Sequence, residues 1–112
     1  MPVVTIHGIP PKHINQMERL QELIPEAIAS FGGLNLTPDK ISVFFSLDRL
    51  KTNYTGKIII FIKIFQSQHL TSDTGNQIAK KVAELVVSTF MTRTVICFIE
   101  KLHQEDGFFI SK

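Results

Sequence analysis

The chain has 112 residues, 44% of them hydrophobic, with 12 basic and 10 acidic side chains giving a formal charge of +2. That length suits one domain, residues 1–112, with a real core, yet leaves burial incomplete enough that oligomerisation would add stability. The interspersed charge offers no basic stripe to track phosphates, so no nucleic-acid partner is expected. The N-terminus lacks the layout of a secretory signal, and the longest apolar run, Ile58 to Ile62, is far short of a membrane span, so a cytoplasmic chain with no membrane partner is expected. The single cysteine, Cys97, excludes an internal disulfide and a cysteine-rich zinc site, and its apolar surroundings read as a packed thiol. The histidines His7, His13, His69 and His103 form no HxxH or HxH spacing, so neither a metal nor another cofactor is expected.

The second residue is a proline. In Met1-Pro2-Val3-Val4-Thr5-Ile6-His7, removal of Met1 would leave a secondary amine at the start of an alternating, β-branched run that reads as a strand. An internal proline is a tertiary amide with no basic lone pair, whereas a free prolyl nitrogen can take a proton or attack a carbonyl. Gly8, Pro10 and Pro11 end that strand. From His13, the apolar positions Ile14, Met17, Leu20, Ile24, Ala27, Ile28 and Phe31 recur at three and four, which predicts an amphipathic helix stopped by Gly32-Gly33. Pro25 predicts a kink or a shifted boundary within it.

Lys40 to Ser46 reads as a second strand after the Pro38-Asp39 turn, and 47–56 as polar and irregular. Lys57 to Phe65 is apolar on both alternating sets, the pattern of a strand covered on both faces. Thr71-Ser72-Asp73 supplies the cap of a second helix that runs to about Met91, with Ile78, Val82, Leu85 and Val86 on its apolar stripe. Thr94 to Leu102 is the fourth strand, and Gly107-Phe108-Phe109-Ile110 suggests a short C-terminal one.

The order is thus two tandem βαβ units, 2–46 and 57–102, with a tail at 103–112. The fold class is α/β in element order and α+β in layering: a four-stranded sheet with two helices on one face, each unit holding a parallel pair. One helical layer cannot cover both faces of strands that are apolar on both. The second face is expected to be buried against other copies of the chain, with Ile60 or Ile62 at that interface.

These residues resemble the tautomerase superfamily, which includes oxalocrotonate tautomerase and the macrophage migration inhibitory factor. Pro2-Val3-Val4-Thr5-Ile6-His7 is similar to the start of the oxalocrotonate enzymes. The ending, Val95 to Leu102 followed by Asp106-Gly107, looks closer to an uncharacterised bacterial branch known only as a domain of unknown function. The resemblance implies a homotrimer whose sheets line a central barrel, with a pocket at each subunit boundary and the prolyl amine at its floor. It places Lys12 where many members carry an arginine that grips a substrate carboxylate. It also places Leu34-Asn35-Leu36-Thr37 where cytokine-like members carry a lysine, Val95 and Cys97 where they carry a tyrosine and an asparagine, and Ser42 near the second-strand arginine of the oxalocrotonate enzymes.

Keto-enol tautomerisation needs a base that moves a proton between carbon and oxygen, and a donor that holds the developing enolate. Pro2 is the expected base, desolvated by Phe44, Phe65 and Phe109, and a small keto or enol acid is the expected substrate. Lys12 is the candidate carboxylate ligand, and Arg49 and Tyr54 are loop residues that could reach a neighbouring subunit's pocket. Gln66-Ser67-Gln68 lies where the resemblance expects exposed backbone amides. The alternative is a non-catalytic trimeric binding or scaffold module of the same fold. An RNA-binding ferredoxin-like domain has the same element order, but the third strand lacks the aromatic, glycine- and base-containing signature such domains carry.

Overall fold

A computed structural model describes residues 2–46, 56–91, 94–108 and 110. Strand β1 (Val3–His7) leads through a 3-10 turn at Pro11–His13 into helix α1 (Ile14–Ala29); a second 3-10 turn at Pro38–Lys40 leads into β2 (Ser42–Ser46). Then follow β3 (Lys57–Phe65), α2 (Ser72–Phe90) and β4 (Thr94–Leu102). The sheet order is β2-β1-β3-β4. Each βαβ unit contributes a parallel pair, β1 with β2 and β3 with β4, and the two units join through antiparallel β1 and β3.

Parity along the strands decides what each face meets. Val4, Ile6, Ile58, Ile60, Ile62 and Ile64 all point to the helical side, and they share one buried cluster with Met17, Leu20, Ile24 and Ile28 of α1 and Ile78, Val82 and Val86 of α2. Ile60 and Ile62 therefore lie beneath the helices, not at the face open to a partner. Residues two apart on a strand must share a face, and the opposite parity of β3 carries Lys57 and Lys63, making it the less apolar side. That other face is uncovered in one chain: across it the register sets Phe44, Thr5, Phe61 and Phe98 in one row. Phe44 is 58% exposed and Phe98 53%, so the row presents aromatic surface to solvent, with Phe61 and Phe98 stacked at 5.8 Å.

Helix ends follow local chemistry. The Thr71 hydroxyl accepts from the Thr74 amide at 3.1 Å, capping α2, and Met91 in a left-handed conformation (φ 51) closes its last turn by donating to the Val87 carbonyl. Helix α1 continues through Pro25 with no shifted boundary. Ile24, Pro25 and Ile28 are all buried there, and packing of that kind offsets the roughly 3 kcal/mol a helical proline costs. Gly8 turns the chain out of β1 at φ +100, where a Cβ would collide with the Lys57 carbonyl oxygen, so only glycine fits. The second strand begins at Ser42 because Pro38–Lys40 forms the turn. The C-terminal strand is not formed by the described residues there: Gln104–Asp106 is a 3-10 turn, and Gly107, Phe108 and Ile110 have no ladder partner.

Cys97 packs against the core from β4, and burial pushes its thiol up to about 12. The native protein is therefore expected to resist iodoacetamide near pH 8, while urea-unfolded protein reacts readily; equal rates would contradict the packing. Up to about pH 8.5 the thiol keeps its proton in both states, so this group makes stability fall only above that, as the unfolded chain ionises and the native chain does not.

Candidate active site

Pro2 precedes β1 and continues the parity of Val4 and Ile6, which turns its ring toward the helical side. Its carbonyl accepts from the Ser42 amide at 3.1 Å, extending the β1–β2 ladder by one bond and fixing the orientation of the residue. Pro2 is buried, and it lines a cavity of about 170 Å³ with Leu34, Leu36, Ile64, Phe65, Gln66 and Ser67. Two chain segments build the walls. The end of β3 brings Ile64 and Phe65, because Val3 opposes Lys63 in the antiparallel ladder and Pro2 falls beside the next residue. The segment after α1 brings Leu34 and Leu36, with Gly33 at φ +91 allowing the chain to pass beside the His69 ring.

None of the described lining residues is charged. The polar groups are the Gln66 side-chain amide, whose Nε2 lies 3.5 Å from the Ser67 carbonyl, and the Ser67 hydroxyl. The Gln66 backbone amide donates to the Leu102 carbonyl at 2.8 Å and is committed to the sheet. The arrangement offers a largely apolar pocket beside the first strand, open to solvent on one side, with two neutral groups able to donate hydrogen bonds. Among the described residues no group of three or more His, Cys, Asp or Glu comes together as a metal would need.

Phe65 joins Pro2 in this cavity. Phe44 instead stands on the open face opposite Thr5. Lys12 lies at the other end of β1, roughly 16 Å away for a five-residue strand, in a separate cavity of about 230 Å³ with Ile9, His13, Ile58 and Phe90. One chain therefore does not bring Lys12 to Pro2. Arg49, Tyr54 and Phe109 lie outside the described residues. Ile64 is the lining residue that the sequence did not single out; Leu34 and Leu36 entered only as the stretch where the resemblance sets a lysine in cytokine-like members. From the residues themselves the further signal was two leucines inside a loop, between a glycine pair and Pro38, where solvated side chains are the rule.

No protein-family model and no curated protein matches the sequence. Solved structures do. The macrophage migration inhibitory factor of Toxoplasma gondii superposes with a TM-score of 0.70 at 14% identity, over 98% of this chain and 97% of that one. A fused 4-OT, described as an asymmetric trimer, gives 0.76 at 10% identity, over 98% and 94%. A domain of unknown function from Sebaldella termitidis gives 0.63 at 13%, over 96% and 94%. The chain has the tautomerase fold. The tautomerase resemblance read from Pro2 and the doubled βαβ order holds at the level of architecture, and it includes a domain of unknown function of the kind its C-terminal residues suggested. No helix among the described residues is long and apolar enough to cross a membrane.

Proposed function

We propose that this chain is a cytoplasmic, homotrimeric keto-enol tautomerase of a small keto or enol acid, with Pro2 as its general base. The observation that carries the reading is Pro2 itself, a buried residue lining a cavity whose other lining residues are largely apolar. Once Met1 is removed, the prolyl nitrogen is a secondary amine whose lone pair takes a proton from the substrate's oxygen or α-carbon and returns it to the other position. Low polarity disfavours the ammonium and keeps the amine basic but unprotonated near neutrality, as a general base requires. Gln66 Nε2 and the Ser67 hydroxyl are the candidate donors to the enolate oxygen. Lys12 serves as the carboxylate ligand only from a second copy, which is why association belongs to the reading. Phe65, on the open face at the cavity's edge, would be closed over by that copy, and the fused 4-OT neighbours are themselves described as trimers. Arg49, Tyr54 and Phe109 remain candidates for the same pocket.

A specific observation favours the alternative, a non-catalytic trimeric module: no described lining residue carries positive charge, and Val95 and Cys97, where the resemblance sets a tyrosine and an asparagine, pack against the core. Losing one enolate-stabilising donor costs about 10² to 10³ in rate, so activity on phenylenolpyruvate is expected to be measurable but weak. Ketonisation followed by ultraviolet absorbance, on protein shown by intact mass to begin at Pro2, tests this. Turnover near the diffusional ceiling would mean stronger electrophilic groups than these, and no turnover across a panel of keto acids would favour the binding module.

A further inference from the structure

We infer that the Pro2 cavity takes the apolar end of a monocarboxylic acid, a group no larger than a phenyl ring, and that Leu34 and Leu36 select it against a diacid. This deepens the tautomerase reading above, resting on it for the reaction and on the cavity alone for the binding. The segment after α1 alternates: Leu34 and Leu36 are partly buried and pack against the core cluster, while Asn35 between them is exposed. Asn35 takes φ 52, a left-handed conformation that asparagine adopts more readily than most residues. Both leucines thereby line the cavity that holds Pro2, together with Ile64 and Phe65.

A pocket open on one side can leave only one end of a short substrate in water. The end that enters meets these four apolar side chains, and no described lining residue offers a cation to pair with it. A second carboxylate placed there gives up its hydration with only the Gln66 side-chain amide and the Ser67 hydroxyl as neutral partners. An alkyl or aryl group in the same place leaves water favourably. The single carboxylate stays at the open side.

Volume sets the upper limit. The cavity measures about 170 Å³, and an apolar cavity of about 150 Å³ lined by leucine, isoleucine and phenylalanine is enough to hold benzene. A branched four-carbon chain or one phenyl ring fits that space, whereas a fused indole does not.

An isopropyl group and a carboxylate have nearly the same shape, so 4-methylpentanoate and succinate differ chiefly in charge and serve as the binding probes. Ligand-observed NMR titrations on the chain that begins at Pro2 are expected to show 4-methylpentanoate bound at least about tenfold more tightly. Leu34→Ala and Leu36→Ala are each expected to shrink that preference severalfold, with circular dichroism confirming the fold. Should either fold poorly, the valine variant at the same position is expected to shift it less, in the same direction. Exchange of the C3 protons for deuterium should follow the same ranking, 4-methyl-2-oxopentanoate ahead of 2-oxoglutarate. Taking the ratio of the two acids within each variant cancels any change in the base itself. Succinate bound as tightly as 4-methylpentanoate, or a preference that neither leucine variant alters, overturns the inference. Equal exchange in the two keto acids also overturns it and leaves the tautomerase reading standing. Selective binding with no exchange in either acid overturns the tautomerase reading and upholds the ligand class inferred for the cavity.

Discussion

Ile60→Lys is expected to unfold the chain, whereas Phe61→Lys, one residue further on, is expected to leave the fold intact and abolish association. Ile60 has no exposed surface and sits in the cluster shared by the sheet and both helices. A lysine there forfeits about 1.5 to 3 kcal/mol of apolar burial and adds the larger penalty of an unpaired charge, against a total stability of about 5–15 kcal/mol for a small domain. Phe61 occupies the centre of the open aromatic row, where a lysine in a single chain stays solvated. Covered by a second copy, the same ammonium is stranded among Phe98, Thr5 and Phe44. Circular dichroism melts and light scattering on the two variants separate the outcomes. A Phe61→Lys protein that is folded and still oligomeric at micromolar concentration would mean that copies associate through some other surface.

The long strands and both helices are legible because each is one uninterrupted period. Lys57 to Phe65 and Thr94 to Leu102 begin and end where the sequence pattern does. The face each strand turns to the helices was equally legible, since Lys57 and Lys63 fall on the parity of Phe61 and leave Ile60 and Ile62 for the core; an expectation that weighs the isoleucines without that parity goes wrong. Sheet order was not legible. Nothing local in Val3–His7 states that it lies antiparallel beside β3, and that long-range pairing sets Pro2 next to Ile64 and Phe65.

The candidate site shows the same division. Pro2 announces itself by position, and Phe65 by its place at the end of an apolar strand. Leu34 and Leu36 follow a helix with no period to assign them, and the resemblance marked their stretch only as lacking a lysine, so their apolar part in the cavity emerges once the segment has folded past Gly33. Lys12 is placed by resemblance near Pro2, whereas the length of β1 sets the two far apart within one chain. A tail at 107–110 has strand-forming residues, yet a strand needs a neighbour, and the described residues supply it none.

Pro2→Ala is expected to cut the ketonisation rate by orders of magnitude with little loss of stability. The substitution keeps a terminal amine but makes it primary, and it removes only a small ring at the very start of the first strand. In the unaltered protein the rate is expected to rise with pH through a single ionisation below the ordinary α-amino range of about 7.7 to 8.0, because Leu34, Leu36, Ile64 and Phe65 desolvate the ammonium. An ionisation at or above that range would argue that water reaches the nitrogen freely.

Every catalytic step proposed passes through that one nitrogen, and a retained Met1 turns it into an amide with no basic lone pair. The most direct measurement compares ketonisation rates for two preparations of the same chain, one confirmed by intact mass to begin at Pro2 and one confirmed to keep Met1. Activity confined to the chain that begins at Pro2 is the predicted result. Equal activity in the two would remove the amine from the mechanism, and with it the case that this fold is catalytic here.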